Sequence, residues 1–308
     1  MFHYIQNRIP EISDSIFSID EAMKAGFGWK DGPFEIWNYI GINEGKELMK
    51  VYGLETAKWI DDMLLNGYNE FYRESEGIVE YYDITSKKYK IKPGQEGFII
   101  LKNILGDKIV WSNSEATLYD IGDEIVNLEF SSKMNVINQN IISSLKKGVE
   151  IAEKDFKGLV IGNEGSHFSA GADISMIFLL SIEQEYDELN HVMKIFQDTM
   201  MRLRYSAIPV VAAPHGYTLG GGCELCLQCD AVVPYSETYI GLVEAGIGLL
   251  PGGGGMKEMI LRASDKFKKN DVEVNILQEY FMNIGMGKTA TSGFEGYELD
   301  YFIKGRDI

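Results

Sequence analysis

The chain has 308 residues, 45% of them apolar, and a formal net charge of −17. The apolar share is that of a folded globular chain and excludes disorder; the acidic surface lacks the cations that a phosphate backbone or an anionic membrane needs, so neither nucleic acid nor membrane is expected as a partner. No run reaches the roughly 18 to 20 consecutive apolar residues of a membrane span, and residues 1–8 lack the basic-then-apolar order of a signal peptide, so a cytoplasmic protein is expected.

Residues 15–75 are rich in aromatics and helix formers, and apolar positions such as Met23, Leu48, Val51, Trp59, Ile60, Met63 and Leu64 recur at helical intervals. This predicts an all-helical first part, residues 1–77, punctuated by a glycine-rich loop at 26–35 in which Pro33 suits the start of a helix. From about 78 to 131 the pattern turns to short β-rich runs at 89–92, 98–101, 116–119 and 125–130, separated by Gly and Asp turns. A boundary near 75–80 follows, with a β-rich linker over 78–114. Beyond 131, helix and strand alternate: a helix over 138–153, a buried strand at 158–162, a long helix over 182–203, a strand at 209–213, a helix at 223–229 and a strand at 231–234. Repeated strand–helix crossovers predict an α/β core with parallel strands beyond 131.

The residues able to do chemistry are concentrated in one glycine-rich stretch. Glu224 follows Gly220-Gly221-Gly222-Cys223, and Glu244 lies twenty residues on, just before a second run that ends in Gly252-Gly253-Gly254-Gly255. Two carboxylates beside exposed backbone N–H groups can hold a water and move its protons. Each also has a plain structural explanation: a glutamate in a first helical turn complements the macrodipole, and Glu244 fits a solvated loop. Cys223, Cys226 and Cys229 are the only cysteines; an iron–sulfur cluster lacks its fourth ligand, so they are expected to pack in a core. His3, His167, His191 and His215 are scattered without zinc-helix spacing, and the second glycine run lacks the Gly-Lys-Ser/Thr ending of a phosphate-binding loop, so no metal is expected.

Four segments in order resemble the crotonase, or enoyl-CoA hydratase/isomerase, superfamily: Phe168-Ser169-Ala170-Gly171-Ala172-Asp173-Ile174; Ile208-Pro209-Val210-Val211-Ala212; His215 through Leu225 with Cys229-Asp230; and Glu244 with Leu250-Pro251-Gly252-Gly253-Gly254. The resemblance implies a ββα superhelix core over 115–308. It implies an oxyanion hole formed by the N–H groups of Ala172 and Gly221, catalytic roles for Glu224 and Glu244, and coenzyme A contacts from Ala170, Ala172, Asp173, Ile174 and Gly221. Net charge does not forbid an anionic thioester, because distant charges are screened within about 8 Å at physiological salt. The reaction implied is syn hydration of trans-2-enoyl-CoA in fatty-acid β-oxidation, with no cofactor beyond the coenzyme A of the substrate; an enoyl-CoA isomerase and a non-catalytic acyl-CoA-binding or docking module are the alternatives. Family members often carry a basic residue where Ser175 stands, which puts one coenzyme contact in question.

The N-terminal part has a second likeness. Ser18 to Lys24, Gly26-Phe27-Gly28-Trp29, Gly32-Pro33-Phe34-Glu35 and Gly41 resemble the helical C-terminal domain of 3-hydroxyacyl-CoA dehydrogenases. No Rossmann fingerprint precedes it, so NAD and dehydrogenase activity are expected to belong to an upstream domain, and the chain to be part of a longer bacterial fusion. The family's C-terminal helices are expected to be truncated, and a homo-oligomer is compatible with the likeness.

Overall fold

The computed structural model describes residues 1–75, 78–95, 97, 99–101, 104, 106–270 and 272–308, and the chain divides into two compact units, Met1–Asn103 and Ile104–Ile308.

In the first unit the helices α1 (Phe2–Gln6), α2 (Ile16–Phe27), α3 (Pro33–Ile40), α4 (Ile42–Val51) and α5 (Lys58–Leu65) precede the strands β1 (Tyr72–Ser75), β2 (Ile78–Asp83) and β3 (Lys88–Ile91). Pro33 opens α3, where its fixed φ suits the helix and its missing N–H leaves no bond unmade. Asp20, fully buried, reaches the same helix end: its carboxylate accepts from the N–H of Phe34 at 2.9 Å and of Glu35 at 3.0 Å, and from the Tyr72 hydroxyl at 2.8 Å. Two amides that the helix leaves without partners are thus satisfied from α2. Gly32 makes room for this contact, since a Cβ there would stand 2.2 Å from the Cβ of Asp20. The three strands form an antiparallel sheet in which Tyr72 faces Tyr81 and Tyr82 faces Tyr89. Tyr72, Tyr81 and Tyr82 complete a core built on Phe34, Trp37 and Phe71.

The helical expectation for 1–77 therefore covers α1–α5 and gives way to strand at Tyr72. The stretch expected to be a linker, 78–114, is divided between the units: β2 and β3 close the first core with their tyrosines, whereas β4 (Ile109–Ser112) pairs in the second unit. Of the strand expected at 98–101, Phe98 lies outside the described residues, and Ile99 and Ile100 are in no strand.

In the second unit β4 is joined by β5 (Ala116–Gly122), β6 (Ile125–Phe130), β7 (Gly158–Ile161), β8 (Val210–Ala212) and β10 (Ala231–Val232) in one six-stranded sheet of order β10-β8-β7-β6-β5-β4. From β6 to β10 the strands are parallel; β4, β5 and β6 are antiparallel. The parallel strands expected beyond residue 131 are β7, β8 and β10, whereas the antiparallel β4, β5 and β6 all precede that point. Short turns rather than helices join the antiparallel strands, and the β5–β6 turn places both Asp123 and Glu124 at positive φ, as a tight hairpin requires. The parallel strands are linked by helices α6 (Gln139–Asp155), α8 (Tyr186–Arg204) and α9 (Gly221–Gln228). Asn138 caps α6 by accepting from the N–H groups of Asn140 and Ile141, and the buried stripe Ile141, Leu145, Val149 and Ala152 turns it onto the sheet.

A parallel pair, β9 (Gly216–Leu219) and β11 (Thr238–Gly241), stands apart from the main sheet. The helix expected over 182–203 begins at Tyr186, because Gln184 at φ 59° separates it from α7 (Ile174–Ile182), which periodicity did not reveal. Beyond the second glycine run come α10 (Gly255–Asp265), α11 (Glu273–Gly285) and α12 (Gly293–Glu298). Among the described residues no helix is long and apolar enough to cross a membrane. The three cysteines are free and buried, with all thiols pushed up by burial.

Candidate active site

The stretch after β7 is pinned on two sides. The N–H of Ile137 donates to the Gly171 carbonyl at 2.8 Å and that of Asp173 to the Ile137 carbonyl at 3.3 Å; on the other side the N–H of Ser169 donates to Tyr217 and the N–H of Leu219 donates to Ser169, both at 3.0 Å. Ala172 sits between these anchors. At the end of β9, Gly220 turns the chain with φ 50° and ψ −119°, a region that L side chains rarely adopt, and α9 starts at Gly221. The N–H groups of Ala172 and Gly221 come together at this corner: a Cβ on Gly221 would lie 3.1 Å from the Ala172 nitrogen. Neither amide donates to a backbone carbonyl of the described residues.

Glu224 stands one turn into α9 and is 2% exposed. It does not cap its own helix. Its Oε1 accepts from the N–H groups of Gly253 and Gly255, each at 2.8 Å, at the start of α10. Burial raises its carboxyl to about 7; the Gly253 and Gly255 amides oppose that rise, and the charge of Glu244 adds to it. Glu244 begins a short 3-10 turn, and neither of its carboxyl oxygens, both buried, has a hydrogen-bond partner among the described residues. It is no solvated loop residue: burial holds its carboxyl above the usual range. A Cβ on Gly220 would lie 3.3 Å from Glu244 Oε1, so the absence of a side chain there leaves room for the acid.

Glu224, Glu244, Ala172 and Gly221 line one cavity of about 230 Å3. Ala170 and Ile174 also line it, as do Leu249 and Leu250 from the segment between the glutamate and the second glycine run. Asp173 does not. Its carboxylate caps α7, accepting from the N–H of Ser175 at 3.0 Å and of Met176 at 3.4 Å. Sequence reasoning missed the wall supplied by α8, where Leu189, Met193 and Phe196 present one face at helical spacing. Phe196 is wedged between the two glycine corners: a Cβ on Gly221 would stand 3.2 Å from its ring and one on Gly253 2.4 Å. The periodicity of α8 was legible, but its face could not be assigned before the fold was known.

The arrangement gathers on one cavity two buried acids and two residues whose N–H groups donate to no backbone carbonyl among the described residues. Such a site can polarise a carbonyl oxygen while exchanging protons with a neighbouring carbon and a water.

Comparison with known proteins agrees with this architecture. Residues 121–268 match the family model for enoyl-CoA hydratase/isomerase, and residues 9–73 match that for the 3-hydroxyacyl-CoA dehydrogenase C-terminal domain. A Bacillus subtilis protein named "Probable 3-hydroxyacyl-CoA dehydrogenase" is 41% identical over 298 residues, 96% of this chain and 37% of the relative. A Rickettsia felis protein named "Putative fatty acid oxidation complex trifunctional enzyme" is 30% identical over 319 residues, 99% of this chain and 38% of the relative. The chain thus spans less than two fifths of the length of these two relatives. The crystal structure of an enoyl-CoA hydratase from Thermoplasma volcanium superposes with a TM-score of 0.52 at 25% identity, covering 64% of this chain and 72% of that one. Residues 121–268 therefore belong to the enoyl-CoA hydratase/isomerase family, and residues 9–73 to the family of 3-hydroxyacyl-CoA dehydrogenase C-terminal domains.

Proposed function

We propose that the unit Ile104–Ile308 adds water to trans-2-enoyl-CoA, giving 3-hydroxyacyl-CoA. One observation carries this reading: Glu224, Glu244, Ala172 and Gly221 line a single cavity. The thioester oxygen accepts from the N–H groups of Ala172 and Gly221, which draws electrons from the double bond and makes Cβ electrophilic. Water lies between the two carboxyl groups. Glu224, with Oε1 held by two amides, uses Oε2 to accept a proton as the water oxygen bonds to Cβ, and Glu244 delivers a proton to Cα from the same side. The double bond becomes single, and one proton passes from water to Glu224 while one passes from Glu244 to carbon. The titration belongs to the pair rather than to either acid.

Neither NAD nor a metal takes part in this step. The product carries the 3-hydroxyl that a 3-hydroxyacyl-CoA dehydrogenase oxidises, which accords with the family of residues 9–73 and with the names of the relatives.

Loss of the conjugated thioester absorbance of crotonyl-CoA tests the reading. Glu224→Gln and Glu244→Gln are each expected to lower kcat by about 10² or more. Turnover unchanged in both variants refutes it. Conversion of a 3-enoyl thioester that survives loss of one acid identifies an isomerase, and coenzyme binding without turnover identifies a docking module.

A further inference from the structure

Gly252-Gly253-Gly254-Gly255 is a stretch whose own backbone preferences fix none of its peptide planes. Their orientation is imposed from outside, and α8 supplies part of it. Met193, Phe196 and Gln197 stand three and four residues apart and so share one face of that helix. A Cβ on Gly252 would lie 2.3 Å from Met193 Cε, and one on Gly253 2.4 Å from the Phe196 ring, so both side chains rest directly against this backbone. Gln197 adds direction: its Nε2 donates to the Gly252 carbonyl at 2.8 Å.

The Gly252 carbonyl and the Gly253 N–H belong to one planar peptide group and point opposite ways across it. That N–H is one of the two that donate to Glu224 Oε1, at 2.8 Å. A single rigid plane is therefore held at both ends, by an exposed amide on α8 and by the buried acid on α9. A donor on the carbonyl also polarises the peptide and strengthens the bond made by the N–H on its far side. Gln197 does not line the cavity, so its influence on the acid travels through this peptide. Water can replace a lost donor on an exposed carbonyl, but a mobile water holds the plane in no one direction.

The ionisable groups around this contact are engaged elsewhere. Lys194 and Asp198 on α8 pair with each other at 3.0 Å, Arg204 at the end of α8 donates to Glu258 of α10 at 2.7 Å, and Lys257 of α10 donates to Met201 Sδ at 3.3 Å. Glu224 itself feels the charge of Glu244 from the 3-10 turn and stands beside Cys223, whose thiol burial keeps neutral.

Resting on the hydratase reading for its effect on turnover, we propose that Gln197 is a positioning residue: by holding the Gly252 carbonyl it keeps the Gly253 N–H on Glu224 Oε1, so a side chain outside the cavity governs how firmly the acid holds its proton. Two or three N–H groups donated to an ionised carboxyl lower its pKa by about 2 in all, so loss of one is worth about 0.5 to 1.

The test compares Gln197→Met, which keeps the length and removes the donor, with Gln197→Arg, whose Nε–H stands as many bonds from the backbone as Nε2 of Gln. Salt at about 0.5 M cuts the screening length to about 4 Å, so the added charge is little felt. The acidic limb of kcat/KM for crotonyl-CoA should move up by about 0.5 to 1 pH unit in Gln197→Met and return in Gln197→Arg. A side chain that merely steadied the fold would lower stability and leave the limb in place. A limb unmoved in Gln197→Met, or displaced equally in Gln197→Arg, overturns the proposal.

A second readout needs no turnover. The urea-stability gap between a chain and its Glu224→Gln counterpart widens with pH until the folded acid is ionised. In the Gln197→Met background that widening should end at a higher pH than in the wild-type background. An end point that stays in place overturns the proposal whatever the limb does. Absence of turnover with the end point displaced removes the hydratase reading alone, whereas turnover with limb and end point both in place removes only the role of Gln197.

Discussion

Replacing Glu224 by Gln should disable the chemistry and stabilise the fold, and the second effect can be worked out from the structure. The folded protein holds this carboxyl at about 7 against an ordinary value of 4.5. Gln keeps an oxygen for the N–H groups of Gly253 and Gly255 and removes the titration. At pH below 4.5 the acid is neutral in both folded and unfolded chains, so wild type and variant should be alike. Between 4.5 and about 7 the unfolded chain releases a proton that the folded chain retains, so raising the pH favours unfolding and wild-type stability falls. Above about 7 the full penalty is present. The displacement corresponds to about 3 kcal/mol, at about 1.4 kcal/mol per pH unit, by which the variant should exceed wild type at pH 8. Urea unfolding followed by circular dichroism at pH 4.5, 6, 7 and 8 measures the difference. A gap that fails to widen between 4.5 and 7, or a variant less stable at pH 8, refutes the account of Glu224 as an acid whose charge the fold opposes.

Other perturbations follow from the same contacts. The pH profile of kcat/KM should show an acidic limb near 7 that Glu224→Gln abolishes, since burial and the neighbouring Glu244 hold the Glu224 proton to about that pH. Gly253→Ala places a methyl 2.4 Å from the Phe196 ring and 2.7 Å from Glu224 Oε2, and should lower kcat on the order of 10²-fold with the fold retained by circular dichroism. Asp20→Ala leaves the N–H groups of Phe34 and Glu35 and the Tyr72 hydroxyl without their acceptor; hydrogen exchange should report loss of about 2 kcal/mol in protection at the start of α3.

The parallel half of the main sheet and the helices between its strands were legible because apolar runs such as residues 158–161 and 209–213, the latter observed as a strand over Val210–Ala212, alternate with amphipathic stretches, and each pattern has one regular solution. β9 and β11 were not, since Gly216–Leu219 and Thr238–Gly241 are short and find their partner only across the chain. α7 was hidden for a different reason: a helix apolar on nearly all sides carries no amphipathic period to read. At the site, the glutamates and the glycine corner were visible as motifs, whereas the α8 wall was not, because a helix face acquires a role only once its neighbours are placed. Asp173 shows a motif position with a structural task of its own, since its carboxylate caps α7.

Because Oε1 of Glu224 holds the amides of Gly253 and Gly255, this acid also fastens the opening of α10, immediately downstream of Leu249 and Leu250 in the cavity wall. Redesigning residues 249–255 to accommodate a different ligand would alter the acidity of Glu224 at the same time. Specificity and proton affinity are tied through a single oxygen atom, so variants selected for one trait in that segment will inherit changes in the other.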